Sequence, residues 1–469
     1  MATPNPHLAT DQKIIGDVYT STEVMDNLTI LCDDFGSRFG GTPGEEKAAA
    51  FFKAKMEAYG LQNVHLEEVS YEGWRRGTVS LEILEPIQRT IPCISLPHSP
   101  PATLEAELVD LDEGAPDDFD ERAEEIAGKI VLATSEVNPK GVKRWIHRNE
   151  KYGRSLLAGA SGFIFVNHYP GYGPATGGIG EDSAGLIPAV GVALEDGRFL
   201  QRLLKKHGKL KLRLTSTDIV EPMISWNIIG DLPGQTNPEE WVMLGCHYDG
   251  HDISQGAGDP ASGAVAVLEA ARVLAQHAPD LPCSVRFALW GVEEIGLFGS
   301  TQYVAAHADE LDNIRFYLNM DSAGVIQFKD IQLNQWENLA PVFEGWSEEM
   351  ARDFRVGQSV NAFSDHYPFL MAGVPTGGIG GVRRPSAGGR GYGHTRYDTL
   401  DKVPMRGLRE AAVFAARLAL RIAHHPAWPA QRRSAEAVAD VLDNPNNREE
   451  AEIFDRIRAF YKKQRANNH

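Results

Sequence analysis

Residues 241–277 read WVMLGCHYDGHDISQGAGDPASGAVAVLEAARVLAQH. An apolar run stops at His247 and Asp249, a glycine-rich polar loop follows, and ASGAVAVLEAARVLAQH then has the periodicity of a helix. This strand, loop and helix set the pattern for the chain from about 222 onward. ISWNIIG, SVRFALW, IRFYLNMD and VPTGGIG are further strand candidates, with helical stretches such as NLAPVFEGWSEEMARDF between them. Strand–helix alternation predicts an α/β fold with a mixed, mostly parallel central sheet flanked by helices.

Working outward, the first part of the chain looks mainly helical. TSTEVMDNLTIL places Thr20 and Glu23 at capping-box spacing. GTPGEEKAAAFFKAKMEAYG repeats the device, with Thr42 as cap, Pro43 in the first turn, Glu45 reaching back and Gly60 as the stop. Between about 88 and 218 the character changes to short strands (AELVDL, KIVLAT, SGFIFVN, IPAVGV) among long Gly/Pro-rich loops. That stretch reads as a β-rich module inserted into the first. The expected division is therefore 1–87, an insertion at 88–218, the second part of the main domain at 219–428, and a helical extension at 429–469.

The formal net charge of -18 argues against nucleic acid and anionic membranes, both of which need clustered Lys and Arg. No apolar run approaches the roughly 20 residues that span a bilayer. Nor does the N-terminus carry a basic stretch followed by an apolar core, so a cytoplasmic protein is expected. Cys32, Cys93, Cys246 and Cys283 follow no metal-binding spacing and read as reduced, mostly buried thiols. The insertion and the last helix offer extra surface, and a homodimer is the expected assembly.

In an open α/β sheet, sites form at the carboxyl ends of strands. His247 and Asp249 end one candidate strand, Glu293 and Glu294 end RFALWGVEE, and Asp321 ends IRFYLNMD. Asp259 opens a helix ahead of Pro260, and His394 lies in a loop before the last long helix. Each has an ordinary structural use when taken alone: a strand-end histidine, a helix cap, a solvated loop charge. Together they gather imidazoles and carboxylates, the donors of zinc or a similar divalent ion, on one edge of the predicted sheet. A cation pair also makes the adjacent glutamates tolerable. Successive side chains of extended backbone face opposite ways, and divalent charge offsets their repulsion. Asp249, two residues from His247, would share its side and accept a hydrogen bond from the second imidazole nitrogen.

With HYD at 247–249, GAGDPASG at 256–263, EEIGLFGS at 293–300, NMDSAG at 319–324 and GHTRYDTLDKV at 393–403, the chain resembles the co-catalytic di-zinc aminopeptidases and their glutamate-carboxypeptidase-like relatives, metallopeptidase family twenty-eight. GKIVLATSE, AGASGFIFVNH and IPAVGVALEDG resemble a protease-associated domain, and the arrangement is most similar to carboxypeptidase Q-like dipeptidases. The resemblance implies a zinc exopeptidase fold and two zinc ions per chain, with cobalt or manganese as alternatives. It places His247 and Asp321 on one ion, Glu294 and His394 on the other, and Asp259 between them. Glu293 becomes the general base and Asp249 the partner of His247. The implied substrate is a dipeptide or short peptide, and an amidase acting on a non-peptide or N-acyl amide uses the same machinery. A non-catalytic scaffold is disfavoured, because all five ligands and the base are present.

Two departures stand out. Pro260 replaces the second acid of the common Asp-Asp version, and Gly393 occupies the place where relatives carry an oxyanion-stabilising tyrosine or histidine. Tyr392, one step earlier, is the candidate for that role. Arg383, Arg384 and Arg390 are candidates to bind a substrate carboxylate in a forked geometry.

Overall fold

A computed structural model describes residues 4–180, 183–382 and 391–467. Contacts divide the chain into two compact units. One takes in residues 1–70, 224–393 and 397–441, and the other takes in 71–223, 394–396 and 442–469. The first unit is built on an eight-stranded mixed sheet. Its strands are β1 (Gln62–Arg75), β2 (Ile219–Leu232), β3 (Asn237–His247), β4 (Cys283–Trp290), β5 (Ile314–Asn319), β6 (Asp330–Leu333), β7 (Val356–Gln358) and β8 (Thr376–Gly380). They lie in the order β1-β2-β4-β3-β5-β8-β6-β7. The run β4-β3-β5-β8 is parallel, β2 and β6 join it antiparallel, and β6 pairs parallel with β7. His247 pairs with Trp290 and Gly245 with Asn319, so β4, β3 and β5 finish level with one another. Side chains placed just beyond those three ends are brought to one rim.

The same unit contains the helices α1 (Leu8–Thr20), α2 (Pro43–Ala58), α3 (Ser262–His277) and α4 (Met405–His424). Every residue of α3 from Ser262 to Ala271 is buried, as expected of a helix apolar on all sides. It packs against α4, α1 and the sheet. Its start can lie on the end of β5 only because residue 263 is glycine. A Cβ there would stand 2.1 Å from the carbonyl oxygen of Met320.

The expected cap on α2 forms. Thr42 Oγ1 accepts the Glu45 N–H at 3.4 Å, and the Glu45 carboxylate reaches back to the Gly41 N–H at 2.6 Å. The capping box expected at Thr20 and Glu23 does not form. Thr20 is the last residue of α1 and its hydroxyl donates back to Gly16 O, while Ser21 Oγ accepts the Glu23 N–H.

One buried charge ties distant segments of this unit together. The Arg38 guanidinium, fully buried, donates to the carbonyls of Leu31 and Gly36 and to those of Tyr248, Gln255 and Gly256. Carbonyl oxygens are the acceptors a buried guanidinium needs, and the loop after β3 is thereby fastened to the segment before α2.

The second unit holds the other eight-stranded sheet, in the order Arg89–Ile91, Val79–Glu85, Lys211–Ser216, Ala102–Asp110, Ile130–Thr134, Gly162–Val166, Ala189–Val192 and Ile94–Ser95. The helix Leu194–His207 ends at Gly208, whose φ of 76° is the left-handed stop that glycine allows. The C-terminal helix Pro445–Asn467 docks within this unit on the helix Arg148–Leu157. Gly153 makes room there for Ile457, and Arg144 pairs with Glu150 at 2.6 Å and with Glu449 at 3.0 Å. All four cysteines are free. Among the described residues, no helix is long and apolar enough to cross a membrane.

Candidate metal centre

His247 is the last residue of β3 and is 1% exposed. Its Nε2 lies 3.4 Å from Asp259 Oδ1 and 3.5 Å from Asp321 Oδ1. Two ligands bonded at about 2.0–2.2 Å to a tetrahedral cation stand about 3.3–3.5 Å apart, so these atoms have the spacing of a shared ion. Asp321 sits just beyond β5, reached through the tight contact at Gly263. Asp259 belongs to the loop before α3 and has an extended backbone, φ -120° and ψ 101°. The Gly258 and Asp259 N–H groups both donate to the Asp398 carboxylate, at 2.7 and 3.0 Å. Asp259 is thus held by its backbone while its carboxylate faces His247; it does not cap the helix.

The Glu293–Glu294 pair follows β4, and Asp249 organises it. The Asp249 carboxylate accepts the Glu293 N–H at 3.0 Å and the Glu294 N–H at 3.3 Å. This corrects the expected bond from His247 to that carboxylate. Nδ1 of His247 is 3.1 Å from the Asp249 backbone carbonyl and 3.6 Å from its carboxylate. β3 ends at His247, so the alternation of extended chain that would put both side chains on one side no longer applies. Asp249 supports the imidazole through its main chain and the glutamates through its side chain.

A third imidazole, absent from the sequence-based expectation, enters here. His251 is 2% exposed, and its Nε2 lies 2.9 Å from Glu294 Oε2. Ligand atoms of His247, Asp259 and Asp321 all fall within 4.8 Å of one another, and His394, the remaining expected ligand, belongs to the other compact unit. The three-residue group can hold a metal ion. The signal in the sequence was HYDGHD, a second histidine two residues past Asp249, but a loop histidine flanked by glycine has no periodicity to mark it. His394 has a left-handed backbone, φ 60°, and its Nδ1 is 3.2 Å from Thr176 O. Tyr392 is 37% exposed, with the Lys402 ammonium 5.2 Å from its ring centre. Arg383, Arg384 and Arg390 lie outside the described residues.

Charge crowding marks the same place. Burial, then the Glu294 and Asp321 charges, raises the Asp259 carboxyl above its ordinary range. Burial raises Glu293 well above its own range, against the pull of His247. Burial also pushes Asp365 up to about 7, against the pull of the His247 charge. The His247 imidazole is raised, because the surrounding acids outweigh its burial. Asp321 alone is held down to about 2: burial opposes this, but hydrogen bonds from His247, Ser364 and Ser322 prevail. So many acids in a buried rim call for compensating cations, and the donor set is the one that divalent zinc takes.

Comparison with known proteins gives two family matches. The model of Peptidase family M28 matches residues 227–419, and that of the PA domain matches 104–200. Carboxypeptidase Q of Mus musculus is 28% identical over 305 residues, 63% of this chain and 64% of the mouse protein. The chain therefore spans just under two thirds of that relative. Probable leucine aminopeptidase 2 of Trichophyton verrucosum (strain HKI 0517) is 28% identical over 377 residues, 77% of this chain and 72% of that one. Among solved structures, a peptidase M28 precursor from Shewanella amazonensis superposes with a TM-score of 0.79 at 22% identity, covering 91% of this chain and 98% of that one. The zinc aminopeptidase BSAP of Bacillus subtilis gives 0.66 at 24%, covering 85% and 94%. These two likenesses establish the fold.

Proposed function

We propose that this chain, which matches the models of Peptidase family M28 over residues 227–419 and of the PA domain over 104–200, is a zinc-dependent exopeptidase acting on dipeptides or short peptides. The observation that carries the reading is the group of His247, Asp259 and Asp321, an imidazole and two carboxylates within 4.8 Å of one another, together with the His251–Glu294 contact at 2.9 Å. His247 and Asp321 would hold one ion, Glu294 and His394 the other, with Asp259 between them. His251 stands with Glu294. When bound, two zinc ions supply Lewis acidity towards the scissile carbonyl and lower the pKa of an attacking water to about 7.

The chain's own residues do the rest. Glu293 takes the proton from the attacking water and delivers it to the leaving amine. Its backbone N–H is fixed by Asp249, so its carboxylate is aimed without being tied. Asp249 keeps the two glutamates in step, and Asp398 keeps Asp259 in place through the main chain.

The substrate class is tested by a hydrolysis screen of free dipeptides, N-blocked dipeptides and aminoacyl chromogens. Cleavage of free dipeptides is expected. Turnover confined to N-blocked amides would move the reading to an amidase. For His251, replacement by alanine should weaken the affinity of one cation by about 10–100-fold, the usual cost of removing a group that orients a ligand. Competition against a coloured chelator reads that change directly. Unaltered affinities for both ions would leave His251 as a packing residue against Phe39, the ring it stacks on at 6.3 Å.

A further inference from the structure

We propose that Trp290, Tyr317, Asn319 and Ser364 form a single directed hydrogen-bond relay that orients the Asp321 carboxylate, which makes them positioning residues of the metal centre. The inference rests on the reading of Asp321 as a cation ligand. Trp290 Nε1 donates to Tyr317 Oη at 2.8 Å, Tyr317 Oη to Asn319 Oδ1 at 3.1 Å, and Asn319 Nδ2 to Ser364 Oγ at 2.8 Å. Ser364 Oγ then donates to Asp321 Oδ2 at 2.9 Å. None of the four relay side chains is more than 5% exposed.

The direction follows from the two ends. An indole nitrogen only donates, and a carboxylate only accepts. The Tyr317 oxygen receives the indole proton, so its own hydrogen turns to Asn319 Oδ1. The Asn319 amide is thereby fixed with its nitrogen towards Ser364, an assignment that otherwise needs a choice between two flips. His366 Nδ1, 3.4 Å from Asn319 Nδ2, is a second acceptor on the same side and agrees with that choice. The Ser364 hydroxyl has one hydrogen, and it goes to Asp321. Bonds in such a chain polarise one another by about 10–30% each, and this one ends on a charge. The relay occupies Oδ2 and leaves Oδ1 towards His247 Nε2, with Ser322 Oγ donating to it at 3.1 Å.

The relay also has reserved space. Gly245, opposite Asn319 in the sheet, lies beneath the Trp290–Tyr317 bond. A Cβ at 245 would stand 2.6 Å from Tyr317 Oη and 2.8 Å from Trp290 Nε1. The rings are placed by packing: Tyr317 stacks on Phe369 at 4.4 Å, and Trp290 lies 5.7 Å from that same ring. Removing the Tyr317 hydroxyl therefore cuts the relay without moving the ring.

The test uses the full chain and four forms: wild type, Tyr317→Phe, Ser364→Ala and the double variant. Zinc affinity is measured by competition with a chelator, and the Trp290 indole N–H resonance is followed in metal-free protein, identified by its loss in Trp290→Phe. Each single variant should lose about 10–100-fold in the affinity of one ion. The double variant should lose no more than the worse single, because one chain is cut once. Tyr317→Phe should shift the indole resonance upfield. Unchanged affinities, losses that multiply, or an unmoved indole resonance would each overturn the relay. If the wild type binds no zinc, the peptidase reading fails separately, and the indole resonance still decides whether the relay exists.

Discussion

Glu293→Gln should lower kcat by about 10²–10⁴-fold and leave both cations bound. Glutamine keeps the length and shape of the side chain, and the backbone N–H of residue 293 still donates to Asp249. What disappears is a basic oxygen able to accept a proton from water and hand it on. Glu293 lies outside the group of His247, Asp259 and Asp321, and its Oε2 lies 3.9 Å from His247 Nδ1. It is therefore close to the ions' place without being committed to them. The assay is steady-state kinetics on a free dipeptide beside elemental analysis of the same preparation. A variant retaining more than about a tenth of wild-type kcat, or one that has lost metal, would take the proton-transfer role away from Glu293.

Stripping the cations should have the larger effect still. Hydrolysis should fall below detection on dialysis against a chelator and return with added zinc. Water left without a cation has a pKa near 15.7, against about 7 beside one, and Glu293 cannot make up that difference. Within the protein the matching change is Asp259→Asn. It preserves size and leaves the two backbone bonds to Asp398, yet removes the charge expected to lie between two ions. We expect its metal content to fall from about two ions per chain to one or fewer. Full occupancy in Asp259→Asn would take that role away from Asp259, and hydrolysis indifferent to chelator would contradict a metal-dependent mechanism.

Much of this was readable in the chain. The strand and helix of residues 241–277 are marked by an apolar run and a long helical period, and both periods survive in the structure because both elements are buried. The polar residues gathered at one sheet edge also followed from sequence, since ends of adjacent parallel strands must meet. Other features left no such mark. β6 and β7, DIQL and VGQ, are too short and too polar for a two-residue alternation to register. The Thr20–Glu23 spacing matches a capping box, but α1 runs through Thr20 and uses its hydroxyl as a helix end. Asp249 was assigned by assuming that extended backbone continued past His247. His251 lies where the chain obeys no period, and only folding brings it beside Glu294. The relay to Asp321 joins three segments far apart in sequence, so no local pattern could announce it.

Arg38 sets a condition on how the centre is assembled. The loop from Tyr248 to Gly256, which carries Asp249 and His251, is held by a guanidinium about two hundred residues earlier in the chain. A fragment starting near β2 would contain every proposed ligand and still lack the splint that shapes the loop between two of them. During synthesis the Arg38 guanidinium has no carbonyl partners in this loop until residues 248–256 have been made, so the loop takes its shape only once the two segments have met.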